Sequence, residues 1–287
     1  MPPTQSLANT SARLSIRADT DASLGRTIEA AVASLPDSFL NATSNEANVV
    51  VTDGTQDWVD TAAETLRSGA RGVMVVGPRR AEPAELIKLA ALADEHQAPV
   101  VCAYPWASNP LVAVVKESWP EAAGPSDFVE VTSDSASTSN AWIGAVVDQL
   151  MLVSTLFGEL VGVRLLWRAP TGYAIAAEIA VRDSSLPVSI IASTSDHGQG
   201  GVTVRRMSLT HRTEIVIPFP KDARPARARL ITESEEFVQP LLYENSLRAS
   251  LLRLSDLVRR DVGFGDDVRR LAQLCEVLGA AWESATP

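Results

Sequence analysis

Residues 47 to 78, ANVVVTDGTQDWVDTAAETLRSGARGVMVVGP, decide the fold. Val49 to Val51 form a short run without a polar interruption, and Val73 to Val76 repeat its character, as strands buried on both faces do. Between them Trp58, Ala62, Thr65 and Leu66 recur at helical spacing, and Gly69 stands at the C-terminal stop. Working outward, Glu82 and Pro83 open a second helix with an acidic first turn and a first-position proline. Leu86, Ile87, Leu89, Ala90 and Ala93 are its apolar face, and Val100 to Cys102 a third strand. Strands joined by helices run parallel with right-handed crossovers, so the region reads as an α/β sheet. Upstream, Leu14 to Arg17 reads as a strand and Leu24 to Leu35 as a helix.

Downstream the pattern changes. Asp127 to Val131 is a further strand of the first unit, Ser133 to Asn140 a Ser/Thr-rich linker, and Ala141 to Phe157 a long helix. Then come strands with little helix between them: Leu160 to Arg168, Ala174 to Val181, Pro187 to Ser193, Val202 to Met207, Thr213 to Ile217 and Ala228 to Thr232. Short connections imply an antiparallel sheet. Two helices, Tyr243 to Arg260 and Asp267 to Ser284, close the chain on either side of the break Gly263-Phe264-Gly265. The reading is a disordered start over residues 1–12, a parallel-sheet α/β domain over 13–132, and an α+β domain over 133–287. Helices 243–284 are candidates to return to the first domain.

A chain of 287 residues with 46% apolar content can bury a core larger than one domain usually holds. Its net charge of −10 argues against nucleic acid as a partner, and the basic groups Arg205/Arg206, Arg224/Arg227/Arg229 and Arg259/Arg260 have acids nearby. Cys102 and Cys275 are too few for a disulfide framework or a zinc motif, which fits a reducing cytosol. Residues 1–12 have neither the basic nor the apolar part of a signal peptide. Asp148, Gln149 and Ser154 interrupt the longest apolar segment, so no membrane span is expected. His96, His197 and His211 are scattered, and a metal site is not expected.

The order of elements resembles the Gfo/Idh/MocA oxidoreductases, the glucose-fructose oxidoreductase and inositol dehydrogenase type, over most of the chain from about Leu14. Residues 47 to 78 carry the likeness, together with PAELIKLAALADEHQAPVVCAYPWASNPLVAVVKE at 83–117, LFGELVGV at 156–163 and GDDVRRLAQLCEVLGAAWESA at 265–285. The resemblance implies a Rossmann-like domain, here shortened, followed by an open, mainly antiparallel sheet whose outer face makes an oligomer interface, and the apolar side chains that alternate along Leu165, Trp167, Ile175 and Ile179 are expected on that face. The partner would be a second copy or a homologue.

Departures from the family pattern fall on its chemistry. Where relatives carry Glu-Lys-Pro, with the lysine beside nicotinamide and substrate, this chain has Val76-Gly77-Pro78. The family's proton-transfer histidine, ten residues before the glycine of the Phe-Gly-Glu turn, maps to Asp148, and the acid four residues earlier maps to Gly144. The expected phosphate-binding turn, Ala18 to Gly25, holds one glycine and carries Asp19 and Asp21, so it reads as a helix N-cap by Asp21 or Ser23. No acid ends an evident second strand to hold a ribose, and Asp37 and Asp53 read as turn residues.

A cleft remains conceivable at the strand ends, lined by Asp53, Gly77, Arg79, Tyr104, Trp106 and Asn109, with Asp148 looking in from the long helix. Such groups suit a polyol or sugar-like ligand. The competing reading has Tyr104 and Trp106 packing the domain junction and Asp148 exposed or paired with an arginine. Three functions stay open: a catalytically degenerate binding, regulatory or structural subunit without cofactor, an oxidoreductase using NAD or NADP on a sugar or polyol, and a non-redox lyase or isomerase with Asp148 as base.

Overall fold

A computed structural model describes residues 13–42, 47–55, 57–118, 127–135, 142–181, 184–194, 200–219 and 224–283. The first part runs β1 (Leu14–Asp19), α1 (Ala22–Ala33), β2 (Phe39–Asn41), β3 (Val49–Asp53), α2 (Trp58–Arg67), β4 (Gly72–Val76), α3 (Pro83–Glu95), β5 (Val100–Ala103) and α4 (Pro110–Ser118). Its five strands form a parallel sheet in the order β2-β1-β3-β4-β5. β2, three residues long, was not anticipated from its sequence.

The second part runs β6 (Phe128–Ser135), α5 (Trp142–Phe157), β7 (Leu160–Ala169), β8 (Gly172–Val181), β9 (Ser184–Thr194), β10 (Gly201–Met207), β11 (His211–Pro218), β12 (Arg227–Thr232), β13 (Glu236–Val238), α6 (Ser246–Arg260) and α7 (Asp266–Glu283). The eight strands are ordered β13-β12-β11-β10-β6-β9-β8-β7. All neighbours are antiparallel except β6 and β9. Residues 127 to 131, expected in the first sheet, thus begin the central strand of the second. Their alternating apolar pattern suited either sheet, and partners distant in sequence decide between them. The expected linker is strand as far as Ser135, and its remainder lies outside the described residues, as do residues 1–12 and His197.

Two apolar layers hold these elements. Val73 and Val75 point into the larger one with Val100 and Cys102, where α2, α3, α5 and α7 meet the inner face of the second sheet. Their alternates Met74, Val101 and Ala103 face the other way, into a smaller layer closed by α1 and α6. α6 lies on β4 and β5, and α7 on α3, β5 and β7, so both C-terminal helices return to the first sheet. α5 is fastened to the second sheet by a buried bridge. Tyr173 Oη donates to Gln149 Oε1 at 2.6 Å, and Gln149 Nε2 to Ser133 Oγ at 2.6 Å.

Ile175 and Ile179, expected on the outer face of the second sheet with Leu165 and Trp167, are fully buried on its inner face. An irregularity between Leu165 and Trp167 breaks the alternation there, and leaves Leu166 and Trp167 both about half exposed. No helix among the described residues is long and apolar enough to cross a membrane.

Candidate functional site

Strand order reverses between β1 and β3, so the crevice of an open α/β sheet lies at the C-terminal ends of these strands. The side chains there are acidic. Asp19 ends β1, Asp53 ends β3, and Asp21 caps α1. The Asp21 carboxylate accepts the Ser23 and Leu24 N–H groups at 2.8 Å each, so it takes donors that a helix N-terminus would offer to a phosphate. Asp53 accepts the Thr55 N–H at 3.0 Å, as a turn residue does, and Asp37 lies in the turn before β2. β2 ends on Asn41.

Beside this crevice the loops after β3 and β4 close on each other. Gly54 N–H donates to Val76 O at 2.9 Å, and Arg79 N–H to Gly54 O at 2.9 Å. A Cβ on Gly54 would stand 2.4 Å from Pro78 Cα, so only glycine permits this approach. Gly77 adopts φ +60° with open space where a side chain would begin. Trp58 Nε1 donates to Arg79 O, and the Arg79 side chain lies 4.0 Å from where a Cβ on Gly144 would be.

The end of β5 is built differently. Ser108 Oγ accepts the Tyr104 N–H at 2.9 Å, and Asn109 Oδ1 accepts the Leu111 N–H at 3.0 Å at the start of α4. Asp148 accepts the N–H of Trp106 at 2.9 Å and of Ala107 at 2.8 Å. Asp148 is therefore neither exposed nor paired with an arginine, contrary to the second expectation. It is 3% exposed, and burial raises its pKa from 3.8 to about 7 against the pull of those two N–H groups. Trp106 is buried and meets Phe219 of the second sheet edge-on at 5.7 Å, so its ring packs the junction.

β5 is the edge of its sheet, and the 263–265 break covers it. Phe264 O accepts the Val100 N–H at 2.9 Å, and Asp267 Oδ2 accepts the Cys102 N–H at 3.0 Å. Arg253 binds Asp267 through both guanidinium ends at 2.6 and 2.7 Å. Between this edge, α4, α5, α6 and α7 opens a cavity of about 350 Å³ lined by Tyr104, Asn109, Lys116, Met151, Thr155, Ser250, Arg253, Asp267 and Arg270. The Tyr104 hydroxyl lies beside the Cys102 thiol and has no oxygen or nitrogen partner among the described residues. Burial pushes its pKa well up, so it is a neutral donor.

Of the residues singled out from sequence, Tyr104 and Asn109 share this cavity, with Asp148 behind its rim. Gly77 and Arg79 belong to the closed loop pair, and Asp53 to the acidic crevice. Lys116, Arg253, Asp267 and Arg270 were missed, because three of them reach the site from the far end of the chain. No group of three or more metal-ligating side chains occurs among the described residues.

Comparison with protein-family models finds no match, and comparison with curated proteins finds none. Solved structures do match. UDP-N-acetylglucosamine 3-dehydrogenase GnnA from Acidithiobacillus ferrooxidans superposes with a TM-score of 0.73 at 13% identity, covering 94% of this chain and 98% of that one. An oxidoreductase from Sinorhizobium meliloti gives 0.70 at 14% identity, over 96% and 99%. The 3-ketoreductase KijD10 from Actinomadura kijaniata, a mutant solved with TDP-benzene and NADP, gives 0.67 at 13%, over 94% and 98%. At these identities the likeness establishes architecture. The chain has the fold of the Gfo/Idh/MocA-type oxidoreductases, as its sequence resemblance implied.

Proposed function

We propose that this chain is a binding protein on an oxidoreductase scaffold and does not transfer hydride. The observation that carries the reading is the engagement of Asp148. The one acid at the family's proton-transfer position holds the Trp106 and Ala107 amides, and Gly77 brings no side chain to accompany it. A carboxylate that holds two backbone N–H groups and is 3% exposed has little access to a substrate, although its raised pKa alone would suit proton transfer. The residues at the α1 turn do not fit a dinucleotide either, since Asp21 fills the amide cradle and Asp19 and Asp53 add negative charge beside it.

Calorimetry with NAD and NADP tests the reading. No heat of binding is expected up to millimolar nucleotide. Micromolar affinity, with reduction of the nucleotide by a sugar or polyol, would replace the proposal by its alternative, an NAD(P)-dependent oxidoreductase. That alternative draws on the dehydrogenase and ketoreductase named among the structural neighbours.

The outer face of the second sheet supports association with a second copy or a homologue. Val161, Leu166 and Trp167 on the edge strand β7 and Ile191 on β9 are about half exposed. Light scattering should give a mass above that of one chain, and Trp167→Asp should lower it.

A further inference from the structure

We infer that the cavity at the end of β5 is an oxyanion site, taking a small organic molecule that carries a carboxylate or phosphate group held by Arg270 and Lys116. The inference deepens the binding reading above and rests on it.

Charge pairing around the cavity points this way. Arg253 is neutralised by Asp267, and the neighbouring Arg269 is held by Asp94 and Asp266. Arg270 and Lys116 have no carboxylate partner among the described residues, and they are the two side chains that line both this cavity and the adjoining one of about 560 Å³. Among the described residues the Arg270 guanidinium has one hydrogen-bond partner, the Ser154 hydroxyl at 3.5 Å, and it feels the charge of Asp267, which is itself bound to Arg253. Burial presses its pKa down, yet a guanidinium stays charged in a protein. A half-buried cation whose desolvation is offset only by an acid already shared with Arg253 is costly, and a flat fork of N–H donors fits a carboxylate or phosphate better than a hydroxyl.

The carboxylates nearby decide on which side the anion sits. Glu159, Asp266 and Glu276 line the larger cavity, whereas Asp267, tied to Arg253, is the acid lining the smaller one. The side chains lining the smaller cavity, Lys116, Arg253 and Arg270 against Asp267, therefore carry a net charge of +2. Tyr104, Asn109, Thr155 and Ser250 add polar atoms along its wall, suited to hydroxyls on the rest of the molecule. Its volume is that of a small-metabolite pocket, with the larger cavity as overflow.

The test is calorimetry on the full chain with gluconate, glucose 6-phosphate, inorganic phosphate and, as the neutral control, glucose. Gluconate or glucose 6-phosphate should bind where glucose does not, the stronger of the two naming the anion. Affinity should fall as salt rises. Arg270→Gln should weaken binding about tenfold or more, the loss expected for a charge-assisted contact. Lys116→Met, at an exposed position, should weaken it severalfold without changing the melting temperature, which separates loss of the site from loss of the fold. Glucose binding as tightly as gluconate, binding of inorganic phosphate that ignores both substitutions, or no binding of any anion would each overturn the proposal. NADP binding that survives Arg270→Gln would instead overturn the binding-protein reading and leave the anion site standing.

Discussion

The C-terminal edge of the parallel sheet is finished in two opposite ways. At β3 and β4 the loops collapse onto each other through backbone hydrogen bonds, with glycine at the two positions where a side chain would interfere or project. At β5 the turn is held open by side chains, Ser108, Asn109 and Asp148, and a cavity forms beneath it. The same sheet therefore offers a sealed end and an open end on adjacent strands. The two ends share a sheet but not side chains, so one can change without the other.

Four experiments would break or sharpen this contrast. The largest effect is expected for Asp148→Ala at pH 6, which strands two amides under a buried turn. Thermal unfolding should report a loss of about 3 kcal/mol, from roughly 1–3 kcal/mol per unsatisfied buried group. Little change would mean that the open end does not depend on its carboxylate. Next is Gly54→Ala, which forces backbone against backbone at the sealed end and should cost about 2 kcal/mol by denaturant titration. A silent substitution would show that the two loops are not locked together.

The third effect is pH dependence. The Asp148 pKa rises from 3.8 to about 7 on folding, so between these values the folded chain keeps a proton that the unfolded chain has released. Its contribution to stability is full below pH 3.8 and is lost as pH rises towards about 7, at no more than about 1.4 kcal/mol per pH unit. Asp148→Asn should flatten that slope, and an unaltered profile would assign it to other groups. The smallest effect is expected for Gly77→Lys. Nothing obstructs the new side chain, so the cost is that of a left-handed residue, about 1 kcal/mol. No dehydrogenase activity should appear, since Asp148 is still committed to backbone. Activity would overturn the binding-protein reading.

Sequence revealed the parallel sheet well, because Val49 to Val51, Val73 to Val76 and Val100 to Cys102 are buried on both faces and show it by uninterrupted apolar runs. β6 misled because a half-buried strand looks the same in either sheet, and its neighbours β9 and β10 lie far along the chain. Ile175 and Ile179 show that alternation identifies two faces without saying which is inside. At the site, Tyr104 and Asn109 followed from their place after a strand. Arg270 could not, since in the sequence it is one arginine beside Arg269, and only tertiary pairing reveals that Arg269 takes Asp94 and Asp266 while Arg270 forms no ion pair among the described residues.

The return of α6 to the first sheet also sets the order in which the molecule can be made. Leu14, Val49, Met74 and Val101 leave the ribosome early, but the layer they belong to is completed by Leu247, Leu251, Leu254 and Val258. The part of that face over β4 and β5, which α6 covers, therefore stays open until residues 246–260 have been synthesised. At about 5–20 residues per second that is an interval of many seconds. Throughout it the nascent chain carries the kind of surface that chaperones recognise, and a truncation before residue 247 would leave that surface exposed for good.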